Sequence, residues 1–365
     1  MKVERGRSFT LNNLSDKEMK NLEVLELIRK SGTISRADIS KITNINLVST
    51  YNYTKSYIDS NIISEKGFDV STGGRKPELV ELSAKNYIIG LDINKTSVRG
   101  ALVDLSPNII KKSSMSLNGK DMAGAIKAVV DDLSASLENK VNSVRAIGVA
   151  ISDEYPEKIE KIIESLSANF FVGTNASCAS CAERYLNPKA GADNILYIFS
   201  SLGRGVMIKK EEFFEESYSE ETKYLRPWDN SLGLIDRTRQ EISRGVGTMV
   251  VDLVKADPER ITEDIIIEAA KCDDEVALGI IQSSAASLGI RVSYLVNLFS
   301  PAAVIIGGGL ENAGELMING IKRALDKLIV KKLAGSVTVT PAVMGEDAVS
   351  VGAASLAIRE IFLRA

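Results

Sequence analysis

The 365-residue chain contains no histidine. That absence removes the imidazole general base, the Ser-His-Asp triad and every zinc site that uses a histidine ligand. Cysteine is nearly absent too: Cys178, Cys181 and Cys272 are too few and too unevenly placed for a disulfide framework, which agrees with a reducing compartment. Cys178-x-x-Cys181 has no second CxxC, and even with Cys272 a tetrahedral zinc site would need a carboxylate. The pair therefore reads as small buried residues of a helix. No apolar run approaches the roughly 18 to 20 residues of a membrane span, and residues 1–10 carry Lys2, Arg5 and Arg7 without the apolar stretch of a signal peptide. These absences predict a cytoplasmic protein with no membrane partner. What is present, 44 % hydrophobic and 25 % charged residues, is the composition of a globular chain long enough for two or three domains with buried cores.

In residues 17–30, apolar side chains at Leu22, Leu25 and Ile28, widened by Val24 and Leu27, predict an amphipathic helix stopped by Gly32. A second helix is predicted over 35–43, with Ser35 as N-cap, Asp38 in the capping-box position and Ile39 and Ile42 facing inward. The turn Thr43-Asn44-Ile45-Asn46 follows. Asn44 tolerates the left-handed backbone such a turn demands, and Asn46 caps a third helix running to about residue 60. Helix, short turn, helix is the arrangement that sets its last helix in the DNA major groove. On that helix Ser49, Thr50, Tyr51, Asn52 and Lys55 have the reach for base edges and phosphates, and Ser35 and Arg36, at the start of the second helix, are counted with them. Residues 62–65 and 79–82 predict two strands around a loop holding Gly67, Gly73, Gly74, Arg75, Lys76 and Pro77. This is a hairpin wing whose Arg75 and Lys76 suit a narrow minor groove. Residues 1–82 carry 13 Lys and Arg against 11 Asp and Glu, so charge alone makes no case for DNA.

The runs Val24 to Arg29, Ile34 to Ile39 and Gly73-Gly74-Arg75-Lys76-Pro77 together resemble the winged helix-turn-helix of the ROK family, named for repressors, open reading frames and kinases. Where that family has Gly-Leu-Ser at the turn, this chain has Asn44-Ile45-Asn46, which suits the same geometry. The resemblance implies double-stranded operator DNA as a partner. It extends over most of the chain and implies an α/β fold: a winged helix-turn-helix (1–82), then a two-lobed actin-like ATPase, or ribonuclease H-like, core (83–195 and 196–365).

The frame of that core is kept and its chemical groups are replaced. The family's first phosphate turn, Asp-x-Gly-Gly-Thr-Lys, uses glycines so that backbone amides approach phosphate. Its counterpart here is Asp92, Ile93, Asn94, Lys95, Thr96 and Ser97. In the second phosphate loop, residues 197–206, Phe199 and Ser201 occupy glycine positions. Pro301 to Gly309 matches the family's buried strand and adenosine-side glycine turn, and Gly345-Glu346-Asp347 with Gly352-Ala353-Ala354 matches its last helix. Asp92, Thr96, Gly203, Gly307 and Gly308 are what remains of a nucleotide site.

Kinases of the family use the carboxylate of Asn-Asp-Ala-Asn to take the proton from the attacking sugar hydroxyl. The corresponding residue is Asn175, whose amide accepts no proton, and loss of a general base costs on the order of 10² to 10⁴ in rate. Asn175 can still hydrogen-bond a sugar hydroxyl. The strand 146–151 leads through Ser152-Asp153 almost at once to a predicted helix over 157–168, in place of the family's sugar-closing loop. After Phe214, the family's Gly-Glu-x-Gly-His and zinc loop are replaced by residues 215–229. Asn175, Asp153 and Trp228 are the candidate effector residues, although a lone Trp after Pro227 serves packing as readily as it stacks on a sugar. No cofactor and no metal are expected.

The preferred reading is a sequence-specific transcriptional regulator, a repressor of carbohydrate-related genes. It would be a homodimer whose catalytically inactive core serves dimerisation and senses a sugar or sugar phosphate. One rival is an ATP-dependent hexose kinase with a DNA-binding appendage; another is an interaction module for a protein partner. Helical residues such as 285–298 are core first and dimer surface second.

Overall fold

Local chemistry sets the first three helices. α1 (Asp16–Ser31) begins at a capping box between Ser15 and Glu18 and ends at Gly32, with φ 70°. α2 (Arg36–Thr43) starts where Ser35 Oγ accepts the Asp38 N–H at 3.1 Å and stops at Asn44, which is left-handed at φ 55°. α3 (Leu47–Asp59) starts where Asn46 Oδ1 accepts the Ser49 N–H at 2.8 Å. A strand that the sequence pattern does not announce, β1 (Thr33–Ser35), pairs with β3 (Glu78–Leu82), which also pairs with β2 (Ile63–Phe68). All pairings are antiparallel, in the order β1-β3-β2. Leu22, Val24, Leu25, Ile28, Ile39, Tyr57, Ile63 and Val80 of these elements are buried. This computed structural model describes residues 14–68, 78–94, 96–117, 121–135, 137, 144–151, 162, 169–187, 194–199, 204–209, 212–215, 233–333 and 335–365.

Beyond residue 86 two five-stranded sheets share one pattern. In the first, β4 (Tyr87–Ile93), β5 (Ser97–Val103) and β6 (Ile109–Ser116) form an antiparallel meander. β7 (Val144–Ile151) then joins β4 in parallel and β8 (Phe170–Thr174) joins β7, giving the order β6-β5-β4-β7-β8. α4 (Met122–Ala135) lays Ala125, Ile126, Val129 and Leu133 into the core of this sheet, and α5 (Asn175–Leu186) leaves the end of β8. In the second, β9 (Asn194–Phe199), β10 (Arg204–Lys209) and β11 (Glu212–Glu215) repeat the meander and β12 (Ala303–Gly307) and β13 (Thr338–Pro341) repeat the parallel pair, in the order β11-β10-β9-β12-β13. α6 (Leu234–Ser243), α7 (Met249–Leu253), α8 (Glu263–Lys271), α9 (Glu275–Phe299) and α10 (Glu315–Leu328) build the core around it. α9 and α10 cross closely: a Cβ on Gly289 would lie 2.6 Å from that of Ala324, and one on Gly320 would overlap Ala285.

The chain divides into two units, one holding Met1–Tyr185 and Asp347–Ala365 and the other Leu186–Glu346. The final helix, α11 (Ala348–Leu363), therefore belongs with the first sheet and is buried along most of its length. The expected second lobe of 196–365 is corrected at both ends, because β9 begins at Asn194 and α11 packs on β4 and β7. The reason is glycine: a Cβ on Gly90 would overlap Ser350 O, and one on Gly148 would overlap Ala353 O. α9 also corrects the expectation about apolar runs. Among the described residues it is long and apolar enough to cross a membrane by length and composition, with 56 % of its most apolar window buried in the second unit. The helix predicted over 157–168 lies outside the described residues except for Ile162. Cys178 and Cys181 are buried on α5, and Cys272 is exposed.

Candidate nucleic-acid interface and core site

The turn between α2 and α3 is closed by its own side chains. Ser40 Oγ donates to Ile45 O at 2.6 Å and Thr43 Oγ1 donates to Ile39 O at 2.7 Å. Thr50 and Thr54 point inward at 0 % exposure, with Tyr57 beside them, so the packed face of α3 is unusually polar. Its outward face then carries Leu47, Val48, Tyr51, Asn52 and Lys55, all exposed, with Ser49 half-buried. Val48 is 73 % exposed and Leu47 55 %. Ile42, near the end of α2, is also exposed, at 58 % instead of facing inward as expected, so both helices carry exposed apolar side chains near the turn, and α3 adds the polar Asn52 and Lys55. Apolar side chains at the start of such a helix suit thymine methyl groups, and an Asn amide suits an adenine edge.

Three expected DNA contacts are committed elsewhere. Ser35, 4 % exposed, caps α2, and its Oγ donates to Asp38 Oδ2 at 2.6 Å. Thr50 returns its hydroxyl to Asn46 O at 3.1 Å. Arg36 joins Glu65 and Glu78 at 2.7 Å each, donates to Thr54 Oγ1 at 3.1 Å, and lies 5.6 Å from the centre of the Tyr51 ring. Burial works to lower its pKa, but the bonds to Glu65 and Glu78 outweigh burial and hold the guanidinium above its usual value. It ties α2 to β2 and β3, a role that depends on acids far along the chain. Arg75 and Lys76 lie outside the described residues.

In the first core sheet, β4, β7 and β8 run parallel with Asp92, Ala150 and Gly173 in register, so their carboxyl ends share one edge. Asp92, 7 % exposed, stands on that edge. Burial pushes its carboxyl up to about 6, against a smaller pull from Arg99. Asp92 Oδ1 and Asn175 Oδ1 are buried without a hydrogen-bond partner among the described residues, and Asn175 is the first residue of α5. Such an edge of parallel strands is where ligands of open α/β sheets bind, and two orphaned acceptors call for a ligand bearing donors.

In the neighbouring turn the described amides are already bonded. Asn94 Oδ1 accepts the amides of Thr96 at 3.0 Å and Ser97 at 2.8 Å, so Thr96 offers no amide to a phosphate; Lys95 lies outside the described residues.

The glycine turn of the second unit is likewise filled. A Cβ on Gly307 would overlap the Tyr197 hydroxyl, so this glycine admits a tyrosine ring. Gly308 follows at φ 80°, and the Gly309 N–H donates to Glu311 Oε2 at 2.6 Å. Glu263 Oε2 would stand 3.2 Å from a Cβ on Gly309. Burial, then Asp264 and Glu311, raise the Glu263 pKa. Two carboxylates, those of Glu311 and Glu263, thus stand at this turn. Phe199 is buried at the end of β9. Gly203, Asp153 and Trp228 lie outside the described residues. Leu47, Val48, Glu263 and Glu311 carried no motif, and only packing brings them to these sites.

Residues 241–360 match the ROK family. The chain is 23 % identical to the xylose repressor of Bacillus spizizenii (strain ATCC 23059 / NRRL B-14472 / W23), covering 92 % of this chain and 94 % of that protein. It is 20 % identical to the DNA-binding transcriptional dual regulator NagC of Escherichia coli (strain K12), covering 86 % of each. Among solved structures, a ROK family transcriptional regulator homologous to the E. coli MLC protein superposes with a TM-score of 0.75 at 18 % identity, covering 95 % of this chain and 98 % of that one. A ROK family glucokinase from Streptomyces griseus, in complex with glucose and AMPPNP, superposes at 0.62 with 22 % identity, covering 74 % and 99 %. The fold is that of these proteins: the regulator match spans nearly the whole chain, while the kinase match leaves about a quarter uncovered.

Proposed function

From the ROK family domain that this chain carries, we propose that it is a sequence-specific DNA-binding repressor of carbohydrate-related genes. It acts in the cytoplasm as a homodimer whose core binds a sugar or sugar phosphate without phosphorylating it. The observation that carries this reading is the α2-turn-α3 unit, whose exposed edge of Leu47, Val48, Tyr51, Asn52 and Lys55 precedes a core with Asn175 where the resemblance to the family's kinases expects the catalytic acid. Asp92 and Asn175 are the acceptors for effector hydroxyls, while the amides of Thr96, Ser97 and Gly309 are already taken by the side chains of Asn94 and Glu311.

Selection of bound sequences from a random DNA pool by the full chain, with and without a panel of sugars and sugar phosphates, tests the reading. A single enriched palindrome, released by one compound, is expected; no enrichment under any condition would sink it. In a coupled ADP-release assay over the same panel with ATP, turnover stays well below about 1 s⁻¹, the low end for ordinary enzymes. A higher value would make the chain a kinase.

Two substitutions separate base reading from scaffolding. Asn52→Ala is expected to weaken operator binding by about 1 to 3 kcal/mol and to relax preference at one base pair. Arg36→Ala unties α2 from β2 and β3 and should weaken all sequences alike. Fluorescence anisotropy at one salt concentration on operator and single-base variants checks both, and an unchanged profile for Asn52→Ala removes that residue from the interface.

A further inference from the structure

The helix-turn-helix is joined to the core without a free tether. β3 ends at Leu82 and β4 begins at Tyr87, and of the residues between them Ser83 and Asn86 are buried. The Ser83 N–H donates to Ile62 O at 2.9 Å. The Asn86 amide donates to Asn61 O at 2.8 Å, and its Oδ1 accepts from Arg145 Nη1 at 2.6 Å. The other terminal nitrogen of Arg145 donates to Ser60 O at 2.6 Å, and Ser60 is the C-cap of α3. A guanidinium from the start of β7 thus grips the carbonyl end of α3, where the helix dipole favours a cation.

A second grip holds α3 from its packed side. Asn21 of α1, 1 % exposed, donates to Ala365 O at 2.7 Å and to Leu363 O at 3.2 Å, at the end of α11. Its Oδ1 accepts from the Tyr57 hydroxyl of α3 at 2.8 Å. Arg29 of α1 lies 4.9 Å from the centre of the Tyr185 ring on α5.

We propose that this clamp makes α3 a fixed part of the core, so that the core sets the distance and angle at which two copies present their α3 helices to DNA. Arg145, Asn86 and Asn21 are then positioning residues for operator half-site spacing. The inference rests on the reading of the chain as a dimeric DNA-binding repressor. A flexible tether tolerates altered spacing because its reach is broad. A rigid mount does not, since each inserted base pair shifts a half-site by about 3.4 Å and turns it by about 35°.

The test starts from the operator selected by the full chain, compared with versions carrying one or two base pairs inserted between half-sites. The parent should lose at least about 10-fold in affinity on insertion. The double variant Arg145→Ala, Asn86→Ala should bind the original operator about 10-fold more weakly and lose most of that discrimination, while binding a single half-site within about twofold of the parent. A merely structural role would lower the active fraction and leave the spacing ratio unchanged. A double variant with the parent's ratio overturns the clamp. Should the double variant fail to melt cooperatively, a Gly-Ser-Gly-Ser insertion between the exposed Ala84 and Lys85 takes its place, with the same ratio deciding. If selection enriches no sequence, the repressor reading itself fails and takes the clamp with it; an enriched operator with an unchanged spacing ratio defeats the clamp alone.

Discussion

Gly148→Ala is expected to unseat the last helix and destabilise the first unit by at least about 3 kcal/mol. The added methyl would overlap the carbonyl oxygen of Ala353, with Ala354 N 3.0 Å away. Both are backbone atoms of α11, so no rotamer change relieves the overlap and either the strand or the whole helix must shift. Two more glycines make the same demand: a Cβ on Gly90 would overlap Ser350 O, and one on Gly352 would overlap Cys178 O on α5. α11 is therefore set against β4, β7 and α5 by three separate backbone approaches, and the end of α11 holds Asn21 of the helix-turn-helix. Thermal melting by circular dichroism should show a midpoint lowered by roughly 6 to 12 °C, at about 2 to 4 °C per kcal/mol for a unit of this size. DNA binding should fall with it, although Gly148 lies far along the chain from α3. Gly279→Ala is the control: it sits exposed on α9 with nothing within 4 Å of its would-be Cβ, so it should stabilise by about 0.5 to 1 kcal/mol through helix propensity. Equal midpoints for Gly148→Ala and the parent would mean that α11 is not held as described.

What the sequence made legible follows the range of the forces involved. The caps Ser35 and Asn46, the left-handed Asn44 and the stop at Gly32 are set by neighbours a few residues away, and they stand where the pattern put them. Side chains that packing draws inward are harder to read from the pattern. Arg36 has the look of a phosphate contact until Glu65 and Glu78 arrive from the strands. Thr50 looks like a base reader, yet α3 packs through Thr50, Thr54 and Tyr57, which reverses the usual rule that apolar residues turn inward and leaves Ile42, Leu47 and Val48 outside. Asn175, placed by resemblance where the family's kinases carry a carboxylate, stands at the start of α5, directly after β8. The filling of the two turns by Asn94 and Glu311 was not legible, because a side chain accepting its own loop's amides leaves no motif. Nor does the sequence tell that residues 348–363 return to the first sheet. Gly90 and Gly148 mark that approach, but a glycine in a strand has several other uses.

Asp92→Asn is expected to raise stability at neutral pH and to abolish the response to effector. The carboxyl of Asp92 has its folded pKa raised to about 6 by burial, against an ordinary 3.8. Between those two values the folded chain holds a proton that the unfolded chain has released. Stability therefore rises as pH falls through about 6 and levels off below the ordinary value. Above pH 6 the buried carboxylate costs about 3 kcal/mol, at 1.36 kcal/mol per pKa unit. The asparagine removes that cost, so its melting midpoint should exceed the parent's by several degrees at pH 7.5 and meet it near pH 4. A parent whose midpoint shows no such dependence, or an asparagine variant no more stable at pH 7.5, would mean that Asp92 is not buried as a carboxylate. Keeping a group that destabilises the fold makes sense if a ligand repays it. Among the described residues Asp92 Oδ1 and Asn175 Oδ1 both lack a donor, and an effector whose hydroxyls reach them supplies two hydrogen bonds to acceptors already stripped of water, one of them charged, each worth about 0.5 to 3 kcal/mol. Effector affinity should accordingly weaken as pH drops below about 6, where Asp92 takes up its proton. Thermal shift with the compound that releases the operator separates the two effects. The parent gains stability on adding it, while Asp92→Asn and Asn175→Ala, each folded, should gain little. A full shift in either variant would place the effector elsewhere.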